Sequence, residues 1–186
     1  MAVVLGDRPI HLFTVDDVLQ MLEVGILSEN NRLELLQGVL TEKSVKSPEH
    51  GELKRRLLQW LWAHGHQAMT EDPVVVPDRL SAPEPDIAVV PPGDYLHELP
   101  TAAFLVIEVA KTSLKIDVQV KPGLYAAMGV PDYWVVDVVA RRVRVYRDPK
   151  PEGYETITTH GPAGTLQPLA VDVEPLDLAA LFDGLR

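Results

Sequence analysis

The sequence predicts an α/β fold, a central mixed β-sheet with helices on its faces. Three observations point that way. Segments with apolar residues at helical spacing alternate along the chain with short strand-like runs. The run at residues 104–109, Phe-Leu-Val-Ile-Glu-Val, is apolar in both alternating registers apart from one glutamate, as in a strand covered on both sides. Of the 186 residues, 46% are apolar, enough for a core, and no repeat, low-complexity tract or linker divides them. One domain over residues 1–186 is expected.

The elements follow in order. Thr14 can cap a helix whose first turn carries Asp16 and Asp17, suited to the positive end of the dipole. Val18, Leu19, Met21 and Leu22 recur at helical spacing before Gly25, a plausible stop. Residues 32–42 read as two short strands around Gln37-Gly38, with Glu34 pointing away from Leu33 and Leu35. Ser47-Pro48-Glu49 opens a second helix, with Leu53, Leu57, Leu58, Leu61 and Trp62 as its buried stripe. Val74-Val75-Val76 reads as the end of a strand, and residues 78–84 as a loop. Strands follow at residues 86–90 and 104–109. Residues 116–128 are helical in pattern, with Pro122-Gly123 disturbing the helix and Gly129 after it. Residues 133–138, 143–146 and 154–158 read as strands, with Trp134 in the core, and residues 175–182 as a closing helix.

Composition limits the function. The net charge is −10, unlike the basic footprint of a general nucleic-acid binder. There is no cysteine, hence no disulfide, thiolate zinc site or cysteine nucleophile, which fits a reducing compartment. The first residues lack the basic segment of a signal peptide, and no apolar run approaches the roughly 18 residues of a membrane span. A cytoplasmic protein without a membrane partner is expected.

Glu108 carries the most chemical information. A carboxylate in a buried strand is costly unless it is paired, protonated or bound to a cation. Asp86 begins the preceding strand after Pro83-Glu84-Pro85, where an aspartate also serves turn chemistry. Two neighbouring strands carrying one acid each can bring oxygens to one Mg²⁺ or Mn²⁺. Asp117, Lys121 and Tyr125 follow at i, i+4, i+8, one face of a helix. The lysine is either a surface partner of Asp117 or is aimed at the acids, where a cation stabilises a phosphoryl transition state. His64 and His66 lack further ligands for zinc. His50, near a helix start, reads as a capping-region or packing residue that could also lie near substrate. Lys43, Lys46, Lys54, Arg55 and Arg56 form one basic stretch, read as a solvated face that also suits a phosphate backbone.

The block Pro85-Asp86, Phe104-Leu-Val-Ile-Glu108-Val, Asp117-x-x-x-Lys121-x-x-x-Tyr125-x-x-x-Gly129-Val-Pro-Asp-Tyr-Trp134 resembles the Uma family. That bacterial group is placed in the PD-(D/E)xK, restriction-endonuclease-like superfamily. Arg32-Leu-Glu34-Leu-Leu-Gln-Gly38 is similar to its "ELIDG" segment, and Ser47-Pro48-Glu49-His50 to its "SP..H" helix entry. The resemblance implies a restriction-endonuclease-like core and metal-dependent hydrolysis of DNA by a homodimer. It implies that Asp86, Glu108 and the Val109 carbonyl bind Mg²⁺ or Mn²⁺. Lys121 would be the catalytic lysine, Glu34 an outlying acid of the site, and Tyr125 and Asp117 supporting residues. The superfamily's lysine normally stands two residues after the glutamate, where this chain has Ala110, so Lys111 is a rival to Lys121. Two other readings compete with the endonuclease. One is an inactive nucleic-acid-binding or regulatory module, which would lack a lysine near the acids. The other is a structural protein whose acids pair with Arg141, Arg142 or Arg144.

Overall fold

A computed structural model describes residues 4–5 and 8–185. The strands and helices are β1 (Val4–Leu5), β2 (Arg8–Pro9), α1 (Val15–Glu23), β3 (Leu33–Leu36), β4 (Val39–Glu42) and α2 (Pro48–Ala63). Then come β5 (Ile87–Val89), β6 (Leu105–Ala110), α3 (Leu114–Gln119), α4 (Lys121–Ala127), β7 (Asp132–Asp137), β8 (Arg142–Lys150) and β9 (Gly153–His160). The chain closes with β10 (Thr165–Leu166), β11 (Leu176–Asp177) and α5 (Leu178–Phe182).

The central sheet has the order β5-β6-β7-β8-β9. β6 and β7 run parallel, and the other neighbours are antiparallel. This is the mixed sheet read from the sequence. The parallel pair requires a crossover, supplied by α3 and α4. Alternation along β6 assigns the two faces. Leu105, Ile107 and Val109 join Leu53, Leu57 and Leu61 of α2 in one core; Val106 and Ala110 join Tyr125, Tyr133 and Tyr146 in the other. Each fully buried leucine contributes about 1.5–3 kcal/mol. Glu108 therefore faces the α4 side. No helix among the described residues is long and apolar enough to cross a membrane.

Local chemistry explains the boundaries. Thr14 and Asp17 form a reciprocal capping box, each side chain taking a backbone N–H of the other. The β3–β4 hairpin turns through Gln37 and Gly38, both with φ positive at 51° and 77°. Ser47 caps α2, with Pro48 at its first turn.

The structure corrects several expectations. Val74–Val76 is extended and buried but forms no ladder. Val74 and Val75 donate to the carbonyls of Pro83 and Pro100, and prolines cannot donate in return. The helix expected over residues 116–128 is two helices, broken at Val120, which has φ −107° and ψ −58°. Pro122 lacks the N–H that would continue α3, yet fits the first turn of α4. Trp62 is 55% exposed, off the buried stripe; Trp60 instead stacks on the buried Trp134. The closing helix starts at Leu178 because Asp177 caps it, accepting from the N–H groups of Ala179 and Ala180. In α1 only Val15 is buried; Leu19 and Leu22 remain exposed.

Candidate active site

Glu34, Asp86, Glu108, Asp117 and Lys121 line one cleft of about 230 Å³. β6 supplies Glu108, and the residue preceding β5 supplies Asp86. α4 supplies Lys121 and Tyr125, α3 supplies Asp117, and β3 brings Glu34 from the separate hairpin.

Lys121 is the hub. Its Nζ donates to Glu108 Oε1 at 2.8 Å and lies 3.2 Å from Glu34 Oε2 and 3.7 Å from Asp117 Oδ1. The break at Val120 does not turn it away; the new helix begins at Lys121 and carries it onto the face of β6. One turn later the Tyr125 hydroxyl donates to the same Glu108 oxygen at 3.0 Å. Burial alone would strip the proton from Lys121, but Glu108, Glu34 and Asp117 outweigh it and raise its pKa, so it stays charged. Burial pushes Glu108 up to about 8, against the pull of Lys121 and with the help of Asp117 and Asp86. Burial likewise raises Asp117, neither of whose carboxylate oxygens has a hydrogen-bond partner. Tyr125 is raised well above its ordinary value by burial and remains a donor.

Asp86 behaves in the opposite way. Burial pushes it up, but hydrogen bonds and charge from His50, the Val109 N–H and Lys46 overcome this and bring it to about 2. Its carboxylate is therefore ionised and only accepts. His50 Nε2 lies 2.9 Å from Oδ1 and 3.0 Å from Oδ2, so that nitrogen carries a proton. Val109 N–H donates to Oδ2 at 2.8 Å, and Lys46 Nζ donates to Oδ1 at 3.3 Å. The Asp86 N–H in turn donates to Glu108 Oε2 at 3.3 Å, linking the two acids.

In an extended strand the N–H and C=O of one residue point to the same side. Since the Val109 N–H points at Asp86, the Val109 carbonyl faces that side too. Two carboxylates and a carbonyl form an all-oxygen set, which suits Mg²⁺ or Mn²⁺ completed by water and a phosphate oxygen. The unpartnered oxygens of Asp117 add acceptor capacity in the same cleft. Among the described residues no three histidine or acidic side chains form a ready-made metal cage.

The structure separates the two lysines. Lys111 pairs with Glu49 at 3.0 Å at the mouth of the cleft, while Lys121 alone of the two reaches the acids. Arg142 pairs with Asp137 rather than with Asp86 or Glu108. His64 and His66 each bond a backbone carbonyl, of Trp60 and Asp172. His50 is the site residue that the sequence marked least, as a capping or packing group that could lie near substrate. Its signals were its place in the first turn of a capped helix, near a basic stretch, and the likeness of Ser47-Pro48-Glu49-His50 to the "SP..H" helix entry. That stretch divides: Lys43 pairs with Glu84 and Lys46 with Glu71 at the cleft, while Arg55 and Arg56 pair with Glu52 outside it.

The central mixed sheet flanked by helices has a restriction-endonuclease-like architecture. The solved "Crystal structure of a putative nuclease belonging to DUF820 from Anabaena variabilis ATCC 29413" shares it. The TM-score is 0.72 over 94% of this chain and 99% of that chain, at 17% identity. The chain belongs to the Uma2 family, described as "Putative restriction endonuclease", whose profile matches residues 15–179. No curated protein matches it.

Proposed function

We propose that the chain is a metal-dependent endonuclease that hydrolyses phosphodiester bonds of DNA. The observation that carries this reading is the meeting of Asp86, Glu108 and Lys121, with Lys121 Nζ 2.8 Å from Glu108. Asp86, Glu108 and the Val109 carbonyl would hold Mg²⁺ or Mn²⁺. When bound, that cation supplies Lewis-acid polarisation of the phosphate and lowers the pKa of a water. Lys121, kept charged by Glu34, Glu108 and Asp117, presents its ammonium to the phosphoryl oxygens and stabilises the charge that develops there. Tyr125 fixes the rotamer of Glu108 through Oε1, and His50 fixes Asp86. Glu34 and Asp117 also hold Lys121, 3.2 and 3.7 Å from its Nζ. Each chain carries one such site, so cutting both strands calls for a homodimer.

An inactive module on the same fold would be favoured by acids that no lysine reaches. The Lys121 contact supports the enzyme instead. The test is cleavage of supercoiled and single-stranded DNA with Mg²⁺, Mn²⁺ or EDTA, alongside Glu108→Gln purified identically. Metal-dependent nicking lost in Glu108→Gln is expected. Equal nicking by both proteins would mean a contaminant or another site, and none by either under any metal would move the assignment to the binding module.

A further inference from the structure

The positive charges of the chain divide by what they face. Lys43, Lys46 and Lys111 at the mouth of the cleft each pair with a carboxylate, as Arg79, Arg142 and Arg147 do elsewhere. Among the described residues Lys115, Arg141 and Arg144 pair with none, in a chain whose net charge is −10. The sheet relates one of them to the site. Glu108, Val135 and Arg144 stand directly opposite one another on β6, β7 and β8. Opposed residues share a face, so Arg144 lies on the face that carries Glu108, two strands away, about 10 Å at the usual strand spacing.

α3 lies between the two. Ser113, Ile116 and Asp117 line the cleft on one side of it. On the other side Leu114 and Val118 line a hollow of about 60 Å³ with Val135, Asp137, Arg142 and Arg144. At about 100° per residue Lys115 falls between these two rows, on the outer side of α3, and it is exposed. The one acid of the hollow is already matched: Asp137 accepts from Arg142 at 3.2 Å and from the Ala140 N–H at 2.9 Å. The half-buried guanidinium of Arg144 is left without a carboxylate, with Arg141 in the adjoining turn. Burying a charge is costly unless an opposite charge meets it, so the place suits an anion that arrives from outside. Lys121 in the cleft, Lys115 on the crest of α3 and Arg144 beyond it form a row, which fits a polyanion better than one small anion.

We infer that Lys115 and Arg144 form a phosphate track, which carries the substrate strand out of the cleft and across α3. This rests on the nuclease reading for the identity of the polyanion. A DNA strand carries one phosphate per about 3.4 Å of helix axis, so the span from Glu108 to Arg144 takes in roughly three steps. With the scissile phosphate at Lys121, the phosphates that follow it meet the Lys115 ammonium and then the Arg144 guanidinium, whose planar fork takes two phosphate oxygens at once. Contacts of this kind fix register and orientation and read no sequence. They also give an acidic chain a local basic footprint where the strand must lie.

Binding is measured separately from cutting, so that the two readings fail separately. Glu108→Gln protein is titrated into a fluorescently labelled DNA duplex, by anisotropy, over a series of salt concentrations with a chelator present. Lys115→Ala and Arg144→Ala, each placed in the Glu108→Gln protein, are expected to weaken binding and to flatten the plot of log affinity against log salt. The slope should fall by about 0.9 for each lost phosphate contact and by about 1.8 in the double variant. Arg144→Lys keeps the charge and should keep the parent's slope. Arg79→Ala, which removes an exposed arginine paired with Asp16, should keep it too. An unchanged slope in either single alanine variant, an equal fall in Arg79→Ala, or no binding of the duplex by the parent would each overturn the track. Flattened slopes beside a wild-type chain that cuts no DNA would overturn the nuclease reading and leave the track standing; unchanged slopes beside metal-dependent nicking would do the reverse.

Discussion

Glu108→Gln should remove a pH dependence of folding stability that the wild-type chain shows between about pH 5 and 8. The carboxyl titrates near 4.5 when the chain is unfolded and near 8 in the folded site, where burial dominates. Between those values the folded state binds more protons than the unfolded state, so stability falls as pH rises. Glu108's contribution is fully present below about 4.5 and is lost as pH rises through about 8. At about 1.4 kcal/mol per pH unit the whole interval is worth about 5 kcal/mol. Rearrangement of Lys121 and entry of water into the cleft reduce this, and about 2–5 kcal/mol is expected. Glutamine keeps the shape and an acceptor for Lys121 and Tyr125 but cannot ionise. The assay is urea denaturation of both proteins from pH 5 to pH 9 with a chelator present. The gap between wild type and variant should shrink steadily, or change sign, as pH rises. A gap that stays constant within about 0.5 kcal/mol across the range would refute the argument, since it would mean the buried carboxyl is not perturbed by its surroundings.

Three further outcomes follow from contacts. Lys121→Met leaves Glu34, Glu108 and Asp117 facing one another without their cation. It should cost about 3–5 kcal/mol at pH 8 and less at pH 5, where the acids can take up protons, as read by denaturation at both pH values. His50→Ala frees Asp86, whose pKa is held at about 2 against an ordinary 3.8. A depressed acid stabilises above its unfolded pKa, so a gap of about 2 kcal/mol at pH 7 should close as pH falls from 4 towards 2 in thermal melts. Gly38→Ala places a methyl against Leu12 at a backbone φ of 77° and should cost about 1–3 kcal/mol in the same melts.

Much of the fold was legible because its signals are local. The β6 run, the caps at Thr14 and Ser47, and the Gln37-Gly38 turn each declare themselves within a few residues. Val74–Val76 did not, because three valines look like a strand whatever lies opposite them. What lies opposite is Pro83 and Pro100, about 10 and 25 residues on, and a proline offers only half of a ladder. The break between α3 and α4 was visible as Pro122-Gly123. Its consequence for Lys121 was not, since a broken helix is free to turn a side chain either way. Only the docking of α4 onto the Tyr125–Tyr133 core fixes the direction.

The site divides along the same line. Glu108 could be found because a carboxylate inside an apolar strand violates the pattern around it, and Lys121 and Tyr125 because they sit one helical turn apart. His50 violates no pattern. It stands in the first turn of a well-capped helix, and its partner Asp86 is 36 residues away, so nothing near it in the chain marks the contact. The same holds for Glu34, which alternation along β3 could turn inward or outward. It faces inward because the hairpin packs over the crossover helices, where Lys121 needs a second anion. One lysine held by three acids is a costly arrangement for stability alone: the carboxylates repel, and neither oxygen of the Asp117 carboxylate has a hydrogen-bond partner. Apolar side chains in place of all four charged groups, Lys121 included, would pack at lower cost. Under the proposed function the cluster serves work on a charged substrate rather than the requirements of the fold, and the stability gained by removing its charges, set against the activity lost, measures that work.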